Sequence, residues 1–402
     1  MLANTTEAQA QPARIGAFYL GIQAVWGALL AISLQSRAVE LSGAHAIVAA
    51  SGILAIGAGV AAVVQIVAGT ISDRRRARGS RRIEFYLVGT AVGAVGIAWF
   101  YLAPTLAQLT VGFSIVQLGL NVAIGAYQAI IPDTIEPRRT GLASSWMAGL
   151  QSAGNSLGVV LAAFVAQTRI VAAALIGLLI ATCAITVSYV RGRTLQGIEL
   201  APRATPVANF ANLFGSRLLL YAGFYTLLDY LYFFVRTLTA DSTPARTKLL
   251  GGSVLLLFTV CGALGAALAA RASDRADKRI VATFGGIGFA AALLVLPATR
   301  SLEVLSAVAV VAGAAWGVVL VADWALACRI LPPRAMATSM AVWNLAVLLA
   351  QIAAPLVVNI AIGRAGATSG LHAMQIIFTI AAIEACLGIA WIWRLPKAFG
   401  RE

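Results

Sequence analysis

The chain has 402 residues, of which 60% are hydrophobic and only 11% are charged, and its formal net charge is +14. This composition excludes an ordinary soluble globular protein and is typical of a chain that crosses a lipid bilayer many times. The basic excess does not indicate nucleic-acid binding, because aromatic residues are not interleaved with Lys and Arg and no soluble stretch is long enough to carry such a surface. We therefore expect the lipid bilayer, and no nucleic acid, as a partner.

Apolar runs long enough to cross a bilayer follow one another along nearly the whole chain. A hydrocarbon core of about 30 Å needs about 20 apolar residues per helix. The predicted spans cover residues 15–35, 46–71, 83–103, 107–131, 142–166, 169–190, 213–238, 248–271, 280–298, 302–328, 337–362 and 372–394. The sequence therefore predicts an all-α integral membrane protein with twelve transmembrane helices.

The spans divide into two groups of six, joined by one linker of appreciable length. Residues 191–212 carry Pro202 and Pro206 and separate a predicted N-terminal bundle at residues 1–190 from a C-terminal bundle at residues 213–402. Lys and Arg are about three times as frequent on one side of the membrane as on the other if the N-terminus is placed inside. This bias predicts a multi-pass protein of the cell inner membrane with both termini in the cytoplasm.

A short basic segment follows the second span and returns in degenerate form at the matching place in the second half. The first copy runs from Gly69 to Arg82, and the second runs from Gly265 to Arg279. The charged residues that we single out are Asp73, Arg74, Arg81 and Arg82 in the first copy, and Asp274 and Arg275 in the second. Duplicated halves, each with a charged loop between two membrane-length helices, indicate a transporter rather than an enzyme.

Asp73 is placed to cap a neighbouring helix N-terminus and to pair with nearby arginines. The alternative is that the charges of this loop only set the topology of the chain. Small residues also recur at four-residue spacing, as in Gly89/Gly93 and Gly154/Gly158, which predicts close helix–helix contact within the bilayer.

Polar and aromatic side chains form stripes at helical spacing on several spans. Polar groups at mid-helix are costly in hydrocarbon, so we expect these stripes to face a wet cavity. On spans one, four, five, ten and eleven they comprise Tyr19, Gln23 and Trp26; Gln117, Asn121 and Gln128; Gln151 and Asn155; Trp316 and Asp323; and Asn344 and Gln351. Amides, phenols and indoles together suit a hydroxylated ligand. The alternative for any single amide is a hydrogen bond between helices.

The seventh span carries the sharpest stripe, because Tyr225, Asp229, Tyr232 and Arg236 share one helix face. These groups can hold a polar substrate, although a structural Asp229–Arg236 pair is the alternative. Asp323 has no cation within a turn on its own helix. Asp229 and Asp323 are therefore the candidate coupling carboxylates, which would bind H⁺ or Na⁺.

The carboxyl groups of Asp323 and Glu384 have other possible roles. For Asp323 the alternatives are hydration near the cytoplasmic end of its span or a salt bridge to Arg329. Glu384, in the last span, is interpreted as structural or protonated.

Six plus six helices, a central linker and a Gly-x-x-x-Asp-Arg segment after the second span resemble the major facilitator superfamily. On that resemblance Gly69, Asp73 and Arg74, with Arg81 and Arg82, correspond to the family's loop motif. The resemblance implies two bundles that rock about a midplane site lined by spans one, four, seven and ten. It also implies that the loop contact holds the outward-open state and breaks on inward opening, with Asp274 and Arg275 as weaker counterparts.

Within the superfamily the chain looks most like the sugar–cation symporters of the glycoside–pentoside–hexuronide and sucrose type. It departs from them because spans one, two and four lack the aspartates of the cation-coupled members. Span five also lacks the Gly-Pro pair of the drug/proton antiporters.

These observations predict a monomeric secondary active transporter that moves a small polar, sugar-like solute by alternating access in proton-coupled symport. One alternative is an efflux antiporter for amphipathic compounds, with a cavity lined by Phe224, Phe233 and Phe234. Another is a non-transporting membrane assembly subunit that kept a carrier fold. No nucleophile–base pair occurs, and the four cysteines and two histidines show no metal-ligand spacing, so we predict no enzyme activity, cofactor or metal site.

Overall fold

The computed structural model describes residues 2–78, 82–134, 140–191, 207–240, 242–330, 336–366 and 370–396 of the chain. Within these ranges the regular structure is entirely helical, which confirms the predicted all-α class. Eleven stretches in the described part are long and apolar enough to cross a membrane, and they coincide with eleven of the predicted spans. A further helix of 25 residues, Thr140–Phe164, occupies the place of the predicted fifth span.

The helices of the first half are labelled α1 to α6. Helix α1 comprises Leu2–Ala28, the π-helical turn Leu29–Ser33 and the continuation Leu34–Ser42. The others are α2 (Ala46–Ala77), α3 (Ile83–Leu102), α4 (Leu106–Tyr127), α5 (Thr140–Phe164) and α6 (Thr168–Arg191), with the short helix Ile130–Thr134 between α4 and α5.

The helices of the second half are labelled α7 to α12. They are α7 (Val207–Leu238), α8 (Pro244–Arg275), α9 (Lys278–Val295), α10 (Leu302–Ile330), α11 (Met336–Arg364) and α12 (Gly370–Ile392). Helix α7 begins inside the predicted linker, of which residues 192–206 lie outside the described part of the chain.

The repeated basic segments belong to helices for most of their length, so the prediction that they are loops is wrong. Helix α2 continues to Ala77, and α8 continues to Arg275. The last turn of α2 contains Arg74, Arg75 and Arg76. Cations at a helix C-terminus are stabilised by the helix dipole, which favours continuing the helix through this basic stretch.

The two halves pack their helices in the same pattern. In the first half α1 packs on α5 and α6, α4 packs on α2 and α3, and α3 also packs on α6. The same pairs recur six helices later: α7 with α11 and α12, α10 with α8 and α9, and α9 with α12. The halves meet where α2 packs on α11 and where α5 packs on α8, which are equivalent pairs. The exact bundle boundaries at residues 190 and 213 stay a prediction.

The small-residue positions bring helix backbones close together. A Cβ atom at Gly158 would lie 2.8 Å from the carbonyl carbon of Ala24 and from the backbone nitrogen of Ala28 on α1, and one at Gly89 would lie 2.6 Å from the carbonyl oxygen of Gly119 on α4. Real Cβ atoms do not approach other atoms so closely, so only glycine fits these positions. The predicted close helix contacts are confirmed.

Candidate functional site

A buried ion pair joins α7 to α10. Arg217 is 4% exposed, and its Nη1 donates a hydrogen bond to Oδ2 of Asp323. The guanidinium carbon lies 3.4 Å from the ring centroid of Trp343 on α11 and 4.5 Å from that of Tyr221. Both contacts are cation–π interactions, which are strongest when water is excluded. Asp323 therefore does not stand alone, because it has a partner on a different helix; the side chain of Arg329, the alternative partner, lies outside the described residues.

The Nε–H of Arg217 is buried and has no hydrogen-bond partner among the described residues. An orphaned buried donor costs about 1–3 kcal/mol, and more when it belongs to a charged group. The arrangement around Arg217 is therefore incomplete as a structural ion pair.

Polar side chains from both halves surround this pair. Tyr19 on α1 interacts electrostatically with Arg217 and Tyr221, and Gln23 lies within hydrogen-bonding reach of Tyr19. On the other side, Gln351 of α11 lies within hydrogen-bonding reach of Tyr225. The structure thus brings together the predicted residues Tyr19, Gln23, Tyr225, Asp323 and Gln351. We refer to these five residues, with Arg217, Tyr221 and Trp343, as the Arg217 cluster.

Asp229 lies further along α7, about 18 Å from Arg217 at 1.5 Å per residue. It is 2% exposed, and its Oδ1 has no hydrogen-bond partner in the described part of the chain. Tyr225 and Tyr230 are the ionisable groups that interact with it. Arg236 is exposed, and no ion pair between it and Asp229 is found among the described residues. The alternative reading of a structural Asp229–Arg236 pair is therefore wrong.

Several predicted ligand residues make structural contacts instead. On α4 the side-chain amide of Asn121 donates a hydrogen bond at 3.0 Å to the side-chain oxygen of Gln117, so these two side chains bond to each other. Trp316 stacks on Phe224 with ring centroids 4.4 Å apart and an interplanar angle of 6°. Asn344 donates to Gln65 at 3.1 Å, which links α11 to α2 across the two halves.

The remaining predicted ligand residues differ in how deeply they are buried. Gln128, Gln151, Asn155 and Trp26 are half-buried, and Tyr232 is buried. A Cβ atom at Gly27 would meet the backbone of Asn155, so Asn155 packs directly against α1.

The basic segment at the C-terminal end of α2 forms a network around Arg82, which is 7% exposed. Its Nη2 lies 2.9 Å from Oδ1 of Asp73, its Nε donates to Asp133 at 2.7 Å, and its Nη1 donates to Ser72 at 2.6 Å. Burial disfavours the charged form of Arg82. The Asp133 and Asp73 carboxylates more than offset this and raise the pKa of the guanidinium above its usual value.

The network contains Asp73 and Arg82 as predicted, and Asp133 in addition. Arg74 is exposed. The backbone nitrogen of Gly69 would lie 3.1 Å from a Cβ atom at Gly125, so Gly69 packs on α4. Arg81, and the side chains of Asp274 and Arg275, lie outside the described residues.

The family model of the Major Facilitator Superfamily matches residues 15–355. The chain belongs to this superfamily. It is therefore a secondary transporter that moves a small-molecule solute across a membrane by alternating access, and it is not an enzyme.

A solved structure with the same fold is that of a bacterial homologue of the human lysosomal transporter Spinster, in an inward-facing and occupied conformation. The two share 14% sequence identity with a TM-score of 0.68, and the alignment covers 97% of this chain and 96% of the other. A search of curated proteins found no match. At this low sequence identity, the similarity is evidence for a shared fold only.

Sequence reasoning missed three residues of the Arg217 cluster: Arg217, Tyr221 and Trp343. A signal was present, because Arg217 and Tyr221 precede Tyr225 at four-residue intervals and so extend the α7 stripe by two turns. Arg217 was instead counted as a topology-setting charge at the inner end of the seventh span. No sequence spacing identifies Trp343, because it lies on another helix.

Proposed function

We propose that this carrier drives the movement of a small polar solute with a cation gradient, as a proton symporter, and that Asp229 is the coupling group. The observation that carries the proposal is the burial of Asp229 with no ion-pair partner among the described residues. A buried carboxylate with no positive partner is costly, whereas the protonated acid is not. Asp229 is therefore suited to hold a proton when it is enclosed and to release it when its side of the carrier opens to water.

The position of Asp229 supports coupling to the solute. Tyr225 lies one turn before Asp229 on the same face of α7 and within hydrogen-bonding reach of Gln351. Protonation of Asp229 can therefore change contacts in the Arg217 cluster through a single shared side chain. One charge crossing 100 mV contributes about 2.3 kcal/mol, which corresponds to an accumulation of about 50-fold.

The groups around Arg217 suit a hydroxylated solute such as a sugar. Tyr19, Tyr225, Gln23 and Gln351 can each donate and accept hydrogen bonds, as the hydroxyl groups of a sugar require. This chemistry supports the resemblance to the sugar–cation symporters. The proposal includes a monomeric carrier in the cell inner membrane with both termini in the cytoplasm, as the distribution of basic residues predicts.

The efflux alternative receives less support. The three phenylalanines expected to line a wide apolar cavity pack within the second half. Phe224 stacks on Trp316, Phe234 packs on Phe378, and Phe233 packs on Tyr230 and Tyr232. These contacts favour a polar solute over a large amphipathic one.

The test uses the full-length protein in proteoliposomes that contain a trapped pH indicator. A panel of sugars, organic acids and drugs is added outside, and solute-driven proton entry is recorded. For a solute that is transported, we expect Asp229→Asn to abolish uphill uptake while exchange of solute down its gradient persists. Uphill uptake by Asp229→Asn at the wild-type level would show that another group carries the coupling ion.

Glu384→Gln is the matched control. Glu384 is a half-buried carboxyl group on α12 that accepts a hydrogen bond from Thr226 at 3.1 Å. Because it is held by a structural partner, we expect this variant to keep uphill uptake. Replacing Na⁺ by choline distinguishes the ions, since loss of wild-type uptake in choline would identify Na⁺ instead of H⁺.

A further inference from the structure

We infer that the solute carries a carboxylate and that Arg217 binds this group in place of Asp323. The cargo would then be a hydroxylated monocarboxylic acid. The inference rests on the proposed transport function and names the chemical class of its solute.

The hydrogen bonding of Arg217 differs from that of the other buried arginines. Three arginines in the described part of the chain are buried: Arg82, Arg217 and Arg279. Arg82 has partners on Nε, Nη1 and Nη2. Arg279 likewise donates from Nε and Nη2 to Asp277 and from Nη1 to the carbonyl oxygen of Leu395. Among these three, Arg217 is the one whose Nε has no hydrogen-bond partner in the described part of the chain.

The orphaned Nε matters because of the shape of the guanidinium group. Its planar N–H donors form a fork that binds the two oxygens of a carboxylate at once. Asp323 accepts a hydrogen bond from Nη1, which leaves Nε unused. An incoming carboxylate that engages Nε as well as an Nη donor would satisfy Arg217 more fully than Asp323 does.

The charge of the Arg217 cluster restricts the charge of its ligand. The cluster contains one guanidinium and one carboxylate, and its other ionisable members, Tyr19, Tyr221 and Tyr225, are phenols. One cation can neutralise one carboxylate, so a bound anion must take the place of Asp323 rather than join it. A monoanion matches this exchange, whereas a dianion would leave an excess charge in a water-poor site.

Arg217 also lies where residues of both halves can reach a ligand. Arg217 interacts electrostatically with Tyr19 of α1 as well as with Tyr221 and Tyr225 of α7. It also lies against Trp343 of α11. A ligand on Arg217 would therefore contact both halves of the carrier, as a solute in an alternating-access site must.

The experiment measures ligand-induced changes in melting temperature on the purified full-length protein. The probes are three pairs in which a carboxylate is replaced by a hydroxymethyl group: D-glucuronate and D-glucose, D-gluconate and D-glucitol, and L-lactate and propane-1,2-diol. We expect an acid to stabilise the protein in at least one pair while its neutral counterpart does not.

The variants separate binding from structure. Arg217→Gln should abolish the stabilisation by the acid, and Arg217→Lys, which keeps the charge without the fork, should weaken it. Asp323→Asn removes the competing carboxylate and should lower the Kd of the acid by about tenfold. Arg279→Gln, which disrupts a fully bonded buried arginine elsewhere, should leave the Kd unchanged. A merely structural Arg217–Asp323 pair would make Asp323→Asn bind more weakly.

The inference is overturned if no acid stabilises the protein, if the neutral member of a pair stabilises it as well as the acid does, or if Asp323→Asn weakens binding. Proton-coupled uptake of a neutral sugar would reject the carboxylate and leave the proposed function standing. Carboxylate binding without any solute-driven proton entry would do the reverse. Should Arg217→Gln fail to fold, Arg217→Lys and Asp323→Asn still decide the outcome.

Discussion

Replacing Arg82 by Gln should destabilise this carrier more than any single surface charge change. Arg82 bonds to Asp73, Asp133 and Ser72, and the change leaves two carboxylates without their principal cation. Breaking a buried pair by removing one partner costs about 3–5 kcal/mol. Here Asp73 and Asp133 retain about one-fifth of their side-chain exposure, and Arg76 remains 3.6 Å from Asp133. We therefore expect a loss of about 2–3 kcal/mol.

The free energy of unfolding, measured by denaturant titration in mixed micelles, checks this value. Arg75→Gln is the control, because Arg75 pairs with Glu84 on a surface where both side chains are about half exposed. Such pairs contribute about 0–1 kcal/mol. A double-mutant cycle with Asp133→Asn should show strong non-additivity, since each change removes the same contact. A cost for Arg82→Gln that equals that of Arg75→Gln would refute the argument from burial.

Two more predictions concern helix contacts. Gln65→Leu and Asn344→Leu each remove the hydrogen bond between α2 and α11 and should each cost about 1–2 kcal/mol, while the double variant should cost less than the sum in the same titration. Gly158→Ala should lower stability by about 1–3 kcal/mol because its Cβ meets the backbone of α1. Gly177→Ala, at a glycine with nothing within 4 Å, should leave the melting temperature nearly unchanged, and an equal effect of the two would contradict the close-contact argument.

In the basic segment at the C-terminal end of α2, some contacts were predictable from the local sequence and others were not. A pairing of Asp73 with nearby arginines was predictable because both lie within one short segment, and Arg82 supplies that partner. Asp133 was not predicted to join them, since its approach depends on where the short helix Ile130–Thr134, which follows α4, lies relative to α2. The continuation of α2 through Arg74 was also not predicted, because the run of arginines was expected to lie in a loop. The helix dipole instead favours cations in the last turn of a helix, where these arginines lie.

The α7 stripe shows the complementary limit. Helical periodicity correctly placed Tyr225 and Asp229 on one face, and Asp229 is buried with no cationic partner in the part of the chain that the structure describes. The same periodicity allowed two interpretations of Asp323, neither of which included Arg217. Those two residues are separated by 106 positions in the chain, and only the packing of α7 against α10 brings them together.

The sequence by itself determined that this chain is a helical membrane protein with two similar halves. Those features depend on the length and apolar character of local runs, because the thickness of the bilayer sets the length of apolar helix that can cross it. Only the tertiary structure decided which polar groups meet, as in the pairing of Arg217 with Asp323 and of Gln65 with Asn344. The partners of a helix face depend on the rotation and neighbours of each helix, and these follow from packing over the whole molecule rather than from spacing along the chain.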